Sequence, residues 1–359
     1  MKTYTHKFKK FRIISIASAM MVLIFFQGLN LFSQALTTEF LTAGYTLTDL
    51  GSITDLPSQY GGLTIRPSQP NTLYICGYAN AGNGNLYTVP LIRDAETHHI
   101  TGFSGPATLY AAAPDNDGGL FFAPNGTLLF TRYSMNHLGQ ILPDNTYITT
   151  SLTEYGIASS VGSVALVPSG YPGAGNLIFA SYNGHIFYNI PYTINGQGLY
   201  VLSAKTHEVS VSGLASGPEG IAYIPQGSAG FPNLSMVVSS YGMDKVVVFE
   251  VGDEGLPDPA TARDMVTGLD GAEGALIDPV TGDFLFSTFG GGDKVIRITG
   301  FTVPSAIWDA NTAGLAGFST QPNPTAGPGS LVVSVQDASG VYEIFNITGE
   351  LILRNKYAE

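Results

Sequence analysis

The sequence predicts an all-β protein, a β-propeller of five blades with six as the alternative count. Three observations carry that prediction. An element consisting of Glu or Gly, then Gly or Ser, then four residues and a proline occurs five times: Gly61-Gly62 to Pro67, Gly118-Gly119 to Pro124, Gly162-Ser163 to Pro168, Glu219-Gly220 to Pro225 and Glu273-Gly274 to Pro279. Each copy leads into two further apolar runs, the clearest being SMVVSSY then KVVVFEV, and FLFSTF then KVIRITGF. The composition, with 44 Gly, 21 Pro and only 12% charged residues, suits many short strands and tight turns, and no long amphipathic pattern follows the first 35 residues.

The prolines of the element are spaced by 57, 44, 57 and 54 residues. A unit of about three or four strands has two apolar faces and buries them only by stacking on copies of itself. Runs rich in Val, Ile, Phe and Tyr, bounded by Gly, Pro, Asn and Asp, read as strands and turns. Near-continuous apolar runs mean burial on both faces. The recurrent Pro ends the first strand, where the ladder needs no donor. Radially stacked sheets are the propeller solution; a pair of β-sandwiches or a β-solenoid is the competing architecture.

Residues 1–35 read as a secretory signal peptide. Lys2, Lys7, Lys9, Lys10 and Arg12 precede an apolar run from Ile13 to Phe26, and Ser33 and Ala35 supply the small side chains of a cleavage site. The run is broken by Gln27, Gly28 and Asn30, so no membrane span is expected after cleavage. Without this leader the chain has 10 basic and 27 acidic residues, a net charge of −17. That excludes nucleic acid and anionic membrane as partners and admits cations, neutral glycans or a basic protein.

The propeller is assigned to residues 36–301. The strand at Tyr45 to Gly51 resembles the segments that close earlier blades, whereas the fifth unit ends at Phe301 without one. The N-terminal strand is therefore expected to complete the last blade and remove two open edges. Residues 92–117 and 135–160 are the least periodic and are read as outer strands and loops. Within them Asp115-Asn116-Asp117-Gly118 could begin a calcium loop, but an ordinary Asx turn is the simpler reading. Cys76, the single cysteine, is read as a buried inert thiol. Residues 302–317 form a linker.

The last segment, residues 318–359, contains Pro322-Asn323-Pro324-Thr325, then Gly327, an alternating LVVSV run and VYEIFNITGELI, with the turn closing on Gly349. These residues resemble the C-terminal sorting domain of type IX (Por) secretion, a short β-sandwich that is read as an export address. The resemblance implies a partner in the type IX machinery and a secreted or outer-surface location in a Gram-negative, Bacteroidota-type cell. In that family further strands follow this turn, so the sequence, which runs to Glu359, is expected to hold a partial domain. The propeller repeats, such as GPEGIAYIP, look like secreted bacterial propellers and, more distantly, like NHL and gluconolactonase-like propellers.

Glu219 and Glu273 occupy one repeat position in successive blades, at the start of the innermost strand. Both carboxylates are therefore expected at one mouth of the central channel, where they could hold a divalent cation such as calcium, act as an acid/base pair, or accept backbone N–H groups and pin neighbouring blades. The gluconolactonase-like resemblance implies a metal held here by a Glu with Asn and Asp of other blades; this sequence has Gly61, Gly118 and Gly162 at the equivalent positions and no matching Asn or Asp. Tyr78, Tyr133, Tyr182, Tyr241 and Phe289 recur at the end of the second strand. They are read as packing between blades, with Tyr133, Tyr182, Tyr241 and Phe289 as a rim that could stack on sugars. Asp278, Asp283, Asp244 and Asp293 are read as turn formers, and the His98-His99 pair as solvated loop residues. No catalytic residues are assigned: HExxH is absent, and G-x-S-x-G has no suitable partners. The expected function is a secreted or cell-surface binding or adhesion propeller with a glycan or protein ligand. The alternative is a metal-dependent lactonase-like hydrolase, and a structural surface component is a third reading.

Overall fold

In the computed structural model of the chain, residues 34–302 are described in full. Four later strands, Phe318–Gln321, Val332–Val335, Gly340–Phe345 and Leu351–Tyr357, are described by their pairing, the first with the second and the third with the fourth. Residues 1–33 of the expected leader, residues 303–317 of the linker and the sorting residues Pro322, Asn323, Pro324, Thr325, Gly327 and Gly349 lie outside the described residues.

Residues 35–302 form a ring of five antiparallel sheets. The innermost strands are Leu63–Ile65, Asn116–Phe122, Val161–Leu166, Pro218–Tyr223 and Ala272–Ile277, and each packs on the next around the ring. In every blade the chain then runs outward: in the fourth, Pro218–Tyr223 pairs with Ser235–Ser240, that strand with Lys245–Glu250, and that with Arg263–Thr267. The irregular segments hold outer strands. Residues 100–112 supply Ile100–Phe103 and Thr108–Ala112, both paired with the long strand Asn85–Arg93 of the first blade. Residues 147–151 form the outer strand of the second blade.

The ring closes as the sequence suggests. Thr46–Asp49 pairs with Val295–Thr299, with Thr46 opposite Thr299 and Asp49 opposite Ile296, so one sheet joins the two ends of the propeller. Two features were not anticipated. Ala35–Leu36, which begins at the last residue of the expected leader, adds a fifth strand to the fourth blade. A five-residue helix, Thr38–Thr42, then plants Phe40 against Tyr45 and Phe231 in the core between the fourth and fifth blades.

Five hydrophobic cores fill the five interfaces between blades. The alternation of a strand explains how. In the fourth blade Val237 faces the fifth blade, while Met236 and Val238 face the third. In the fifth, Phe284 and Phe286 face the fourth blade and Leu285 faces the first. A middle strand thus serves two cores, which is why its sequence is apolar without interruption. Cys76 lies wholly buried between the first two blades, where burial raises its thiol far above the ordinary range, in keeping with an inert side chain.

A second fastening joins the first and fifth blades. The Arg93 guanidinium donates to both Asp278 oxygens at 2.7 and 2.9 Å, to the carbonyls of His98 and Pro70, and to Asn71 Oδ1, so all five of its N–H donors are used. His99 Nδ1 lies 2.7 Å from Asp283 Oδ2, with Arg297 Nε 3.9 Å from the same oxygen. Asp278 is a turn former as expected, accepting from Val280 N and Thr281 Oγ1, but both aspartates are also fully buried and take partners from the first blade, while His99 stays a loop residue with a third of its side chain exposed. The turn at residues 278–283 is folded against the neighbouring blade, and the repeat pattern of one blade contains no sign of that.

Candidate functional site

The innermost strands do not pair evenly. The ladder shifts between Pro218 and Gly220 and between Ala272 and Ala275, so each strand carries a bulged residue near its start. The bulge aims Glu219 and Glu273 into the channel, where they are 2% and 1% exposed. In the second blade the shift spans Asn116 to Leu120, opposite Arg132 to Phe130, one residue longer than in the fourth. There the repeat position holds Gly118, and the residue before it, Asp117, enters the channel, 0% exposed.

Asp117, Glu219 and Glu273 each offer a carboxylate oxygen, and these oxygens lie within 4.8 Å of one another. The two glutamates meet at one mouth as the repeat suggests. Asp117 was missed, having been read as part of an Asx turn; the available signal was the Asp-Asn-Asp run immediately ahead of Gly118, displaced from the repeat position by the longer bulge. The expectation that no aspartate could join the glutamates is thereby corrected. Asn80 borders this strand, its N–H donating to the Asn116 carbonyl at 2.8 Å.

All three carboxyl groups are held well above the usual range. Burial is the main cause for each, reinforced by the Glu219 charge at Asp117, the Glu273 charge at Glu219 and the Asp117 charge at Glu273. Two ionised carboxylates at this separation repel by about 3 kcal/mol even at an effective dielectric near 20. Both oxygens of Asp117, Oε2 of Glu219 and Oε1 of Glu273 are buried without a hydrogen-bond partner. Orphaned buried acceptors in a shared space require protons or a cation. Oxygen donors without His or Cys suit a hard divalent ion, calcium or magnesium.

Aromatic rings cover the same mouth. Tyr133, Tyr182, Tyr241 and Phe289 come from four successive blades and touch in series, with centroids 5.3, 6.1 and 5.9 Å apart. All four are half-buried, whereas Tyr78 of the first blade is 39% exposed. The first and second glycines of the G-x-E-G repeat explain this arrangement. A Cβ at Gly217, whose φ is +58°, would lie 2.5 Å from the Tyr182 ring, so the tyrosine of one blade rests on the glycine opening the next. A Cβ at Gly220 would lie 2.5 Å from the Glu273 carbonyl, so the second glycine lets adjacent inner strands approach. The Tyr182 hydroxyl is pushed up to about 12 by burial and then by the Glu219 charge. Tyr241 is raised by burial and then by Glu273 and Glu219, which places both phenols in the field of the cluster. Asp244 and Asp293 are turn residues at this mouth, Asp244 accepting from Gly271 N and Asp293 from Gln59 N.

No protein-family model matches the sequence. No curated protein matches it significantly either. Among solved structures, the chain is similar to a virginiamycin B lyase from Staphylococcus aureus, at 14% identity and a TM-score of 0.38, covering 71% of this chain and 99% of that one. It is similar to a protein described as a gluconolactonase, at 13% identity and 0.39, covering 74% and 97%. It is also similar to an auxiliary nutrient binding protein from Bacteroides thetaiotaomicron, at 10% identity and 0.41, covering 71% and 76%. The chain is a five-bladed β-propeller on the evidence of its own sheets and registers, and its function has to be argued from the channel.

Proposed function

We propose that this protein is an exported, surface-located binding propeller that holds a divalent cation, calcium by preference, in its channel and meets a glycan or protein ligand at the aromatic mouth. The observation that carries the cation is the set of orphaned oxygens on three buried carboxyl groups. Asp117, Glu219 and Glu273 would hold it, and the bound ion would supply the positive charge that lets all three ionise and ties the second, fourth and fifth blades together. Burial of the cluster, at 2% exposure or less for each carboxyl residue, favours a structural ion over hydrolysis. Export is supported by the basic and apolar leader and by the sorting resemblance of the last segment. Among the described residues no helix is long and apolar enough to cross a membrane.

The test uses terbium in place of calcium. Tyr182 and Tyr241 lie in the field of the cluster, so the protein should sensitise terbium luminescence, calcium should compete it away, and Glu219→Gln/Glu273→Gln should abolish the signal. Calcium at a hundred times its dissociation constant should add about 2.7 kcal/mol to stability. Absence of both luminescence and thermal stabilisation sinks the cation. Binding at the mouth is tested separately on glycan and protein arrays, comparing Tyr133→Ala and Phe289→Ala, the two ends of the aromatic series, with the parent.

A further inference from the structure

The rings at the mouth sit in a field of one sign. Tyr241 repeats the seating of Tyr182: a Cβ at Gly271, whose φ is +69°, would lie 3.1 Å from the Tyr241 ring, as one at Gly217 would meet Tyr182. The residue before that glycine is Ser216 in one copy and Asp270 in the next. Asp270 lies against the turn that follows Phe289, its Oδ1 3.0 Å from where a Cβ on Gly290 would stand. Asp244, from the turn after Tyr241, accepts from Gly271 N at 3.3 Å. Two carboxylates are thus held at the turns beside Tyr241 and Phe289, whose rings meet edge to face at 5.9 Å. The Tyr241 hydroxyl is raised by burial first and then by Glu273, Glu219, Asp270 and Asp244, so every charged side chain acting on it is an acid. The same holds at Tyr182, where Glu219 and Glu273 add to burial.

Basic side chains do not offset this field. Of the eight Lys and Arg side chains in residues 34–302, seven are paired with carboxylates other than these, and Arg66 lies over Phe122. Glu219 Oε2 and Glu273 Oε1 are buried without a partner on the channel side of the rings. Even with a divalent ion on the three carboxyl groups, one net negative charge stays there, and Asp244 and Asp270 add to it. Aromatic faces backed by negative charge attract a weakly hydrated cation whose charge is spread over carbon; they bring no lone pairs to a metal, and a neutral sugar gains nothing from the acids. We propose that the ligand of this mouth carries a substituted ammonium group, a methylated lysine side chain or a choline-like headgroup, which packs on the rings of Tyr182, Tyr241 and Phe289 beside Asp244 and Asp270. The inference rests on the reading of the mouth as a binding surface and names the chemistry of what it binds.

Titration calorimetry of the full chain tests this, with calcium in excess to keep ammonium out of the carboxylate cluster. Choline is compared with its neutral carbon isostere, dimethylbutanol, and a trimethyllysine peptide with the same peptide carrying norleucine. Each cation should bind about tenfold more tightly than its neutral counterpart. Tyr241→Leu and Phe289→Leu keep apolar bulk but remove an aromatic face, and each should weaken choline several-fold. Asp270→Asn should also weaken it and flatten its dependence on salt. A peptide bound more tightly than choline assigns the group to a protein partner, and the reverse assigns it to a free solute; both support the proposal. Equal affinity for choline and its isostere in the parent protein overturns it, as does binding that both leucine variants leave unchanged. Failure of both ammonium probes to bind overturns it too. In that case a neutral glycan captured on the arrays and lost in Tyr133→Ala or Phe289→Ala keeps the mouth as a binding surface, whereas empty arrays remove that reading as well.

Discussion

Asp117, Glu219 and Glu273 pose a problem that each makes worse for the others, and the cost is measurable at the level of single atoms. Replacing Asp117 by Asn removes one buried charge while keeping a side chain of similar size. In chelator the variant should melt at or above the parent temperature, and it should lose the response to calcium. The pH dependence has a definite sign. All three groups have folded-state values above their unfolded ones, so the native protein binds protons more readily than the unfolded chain. In chelator, stability should be greatest near pH 4 to 5, about the ordinary carboxyl range, and should fall as pH rises toward the raised values. Added calcium should weaken or reverse that slope, which denaturant midpoints at several pH values will show. At Arg93 the prediction concerns a paired charge. Arg93→Met strands the buried Asp278 and should cost about 3–5 kcal/mol, whereas Arg93→Met/Asp278→Leu should cost much less, as denaturant titration of the two variants would report.

At the level of elements, the repeat made most of the blades legible. Gly, Pro and apolar runs define where an inner strand begins and ends, and the same residues build the observed ladders. The missing outer strand of the fifth blade could be inferred because a sheet with an open edge asks for a partner. What the repeat could not disclose lies where a unit departs from its own pattern. The extra residue in the bulge at Asn116 to Leu120 shifts Asp117 into the channel, and only the register reveals it. The contacts Arg93–Asp278 and His99–Asp283 link residues 185 and 184 positions apart, and the repeat pattern of a single blade does not reveal them. The closing strand Thr46–Asp49 yields its own prediction. A chain starting at Ser52 exposes the edge of Val295–Thr299 and strips Phe40 and Tyr45 from their core. Its melting temperature should drop, and it should elute as aggregates on size exclusion where the parent elutes as a single species.

For the whole molecule, the decisive property is that no core belongs to a single blade. Each of the five cores is shared by two neighbours; the one between the fourth and fifth blades also takes Leu36, Phe40 and Tyr45, and the one between the fifth and first blades joins Leu276, Leu285 and Val295 to Ile53, Leu63 and Leu73. Local contacts build the hairpins, but the ring becomes a unit only when residues separated by about 250 positions meet, as Thr46 and Thr299 do. Such long-range pairing is slow, and the open intermediate carries unpaired edges. This is compatible with a chain that crosses a membrane before it folds.

The contact between Tyr45 and Phe301, 4.7 Å from ring to ring, has a further consequence. The polymer enters and leaves the propeller at one place, so the position of the break is a matter of genetics rather than mechanics. Joining residue 302 to residue 35 through a short spacer and reopening the gene at the exposed turn Ser212-Gly213 would give a permuted order of blades with every core conserved. In that molecule the strand that now fastens the ring would become an ordinary internal connection, and the burden of closure would pass to the third and fourth blades.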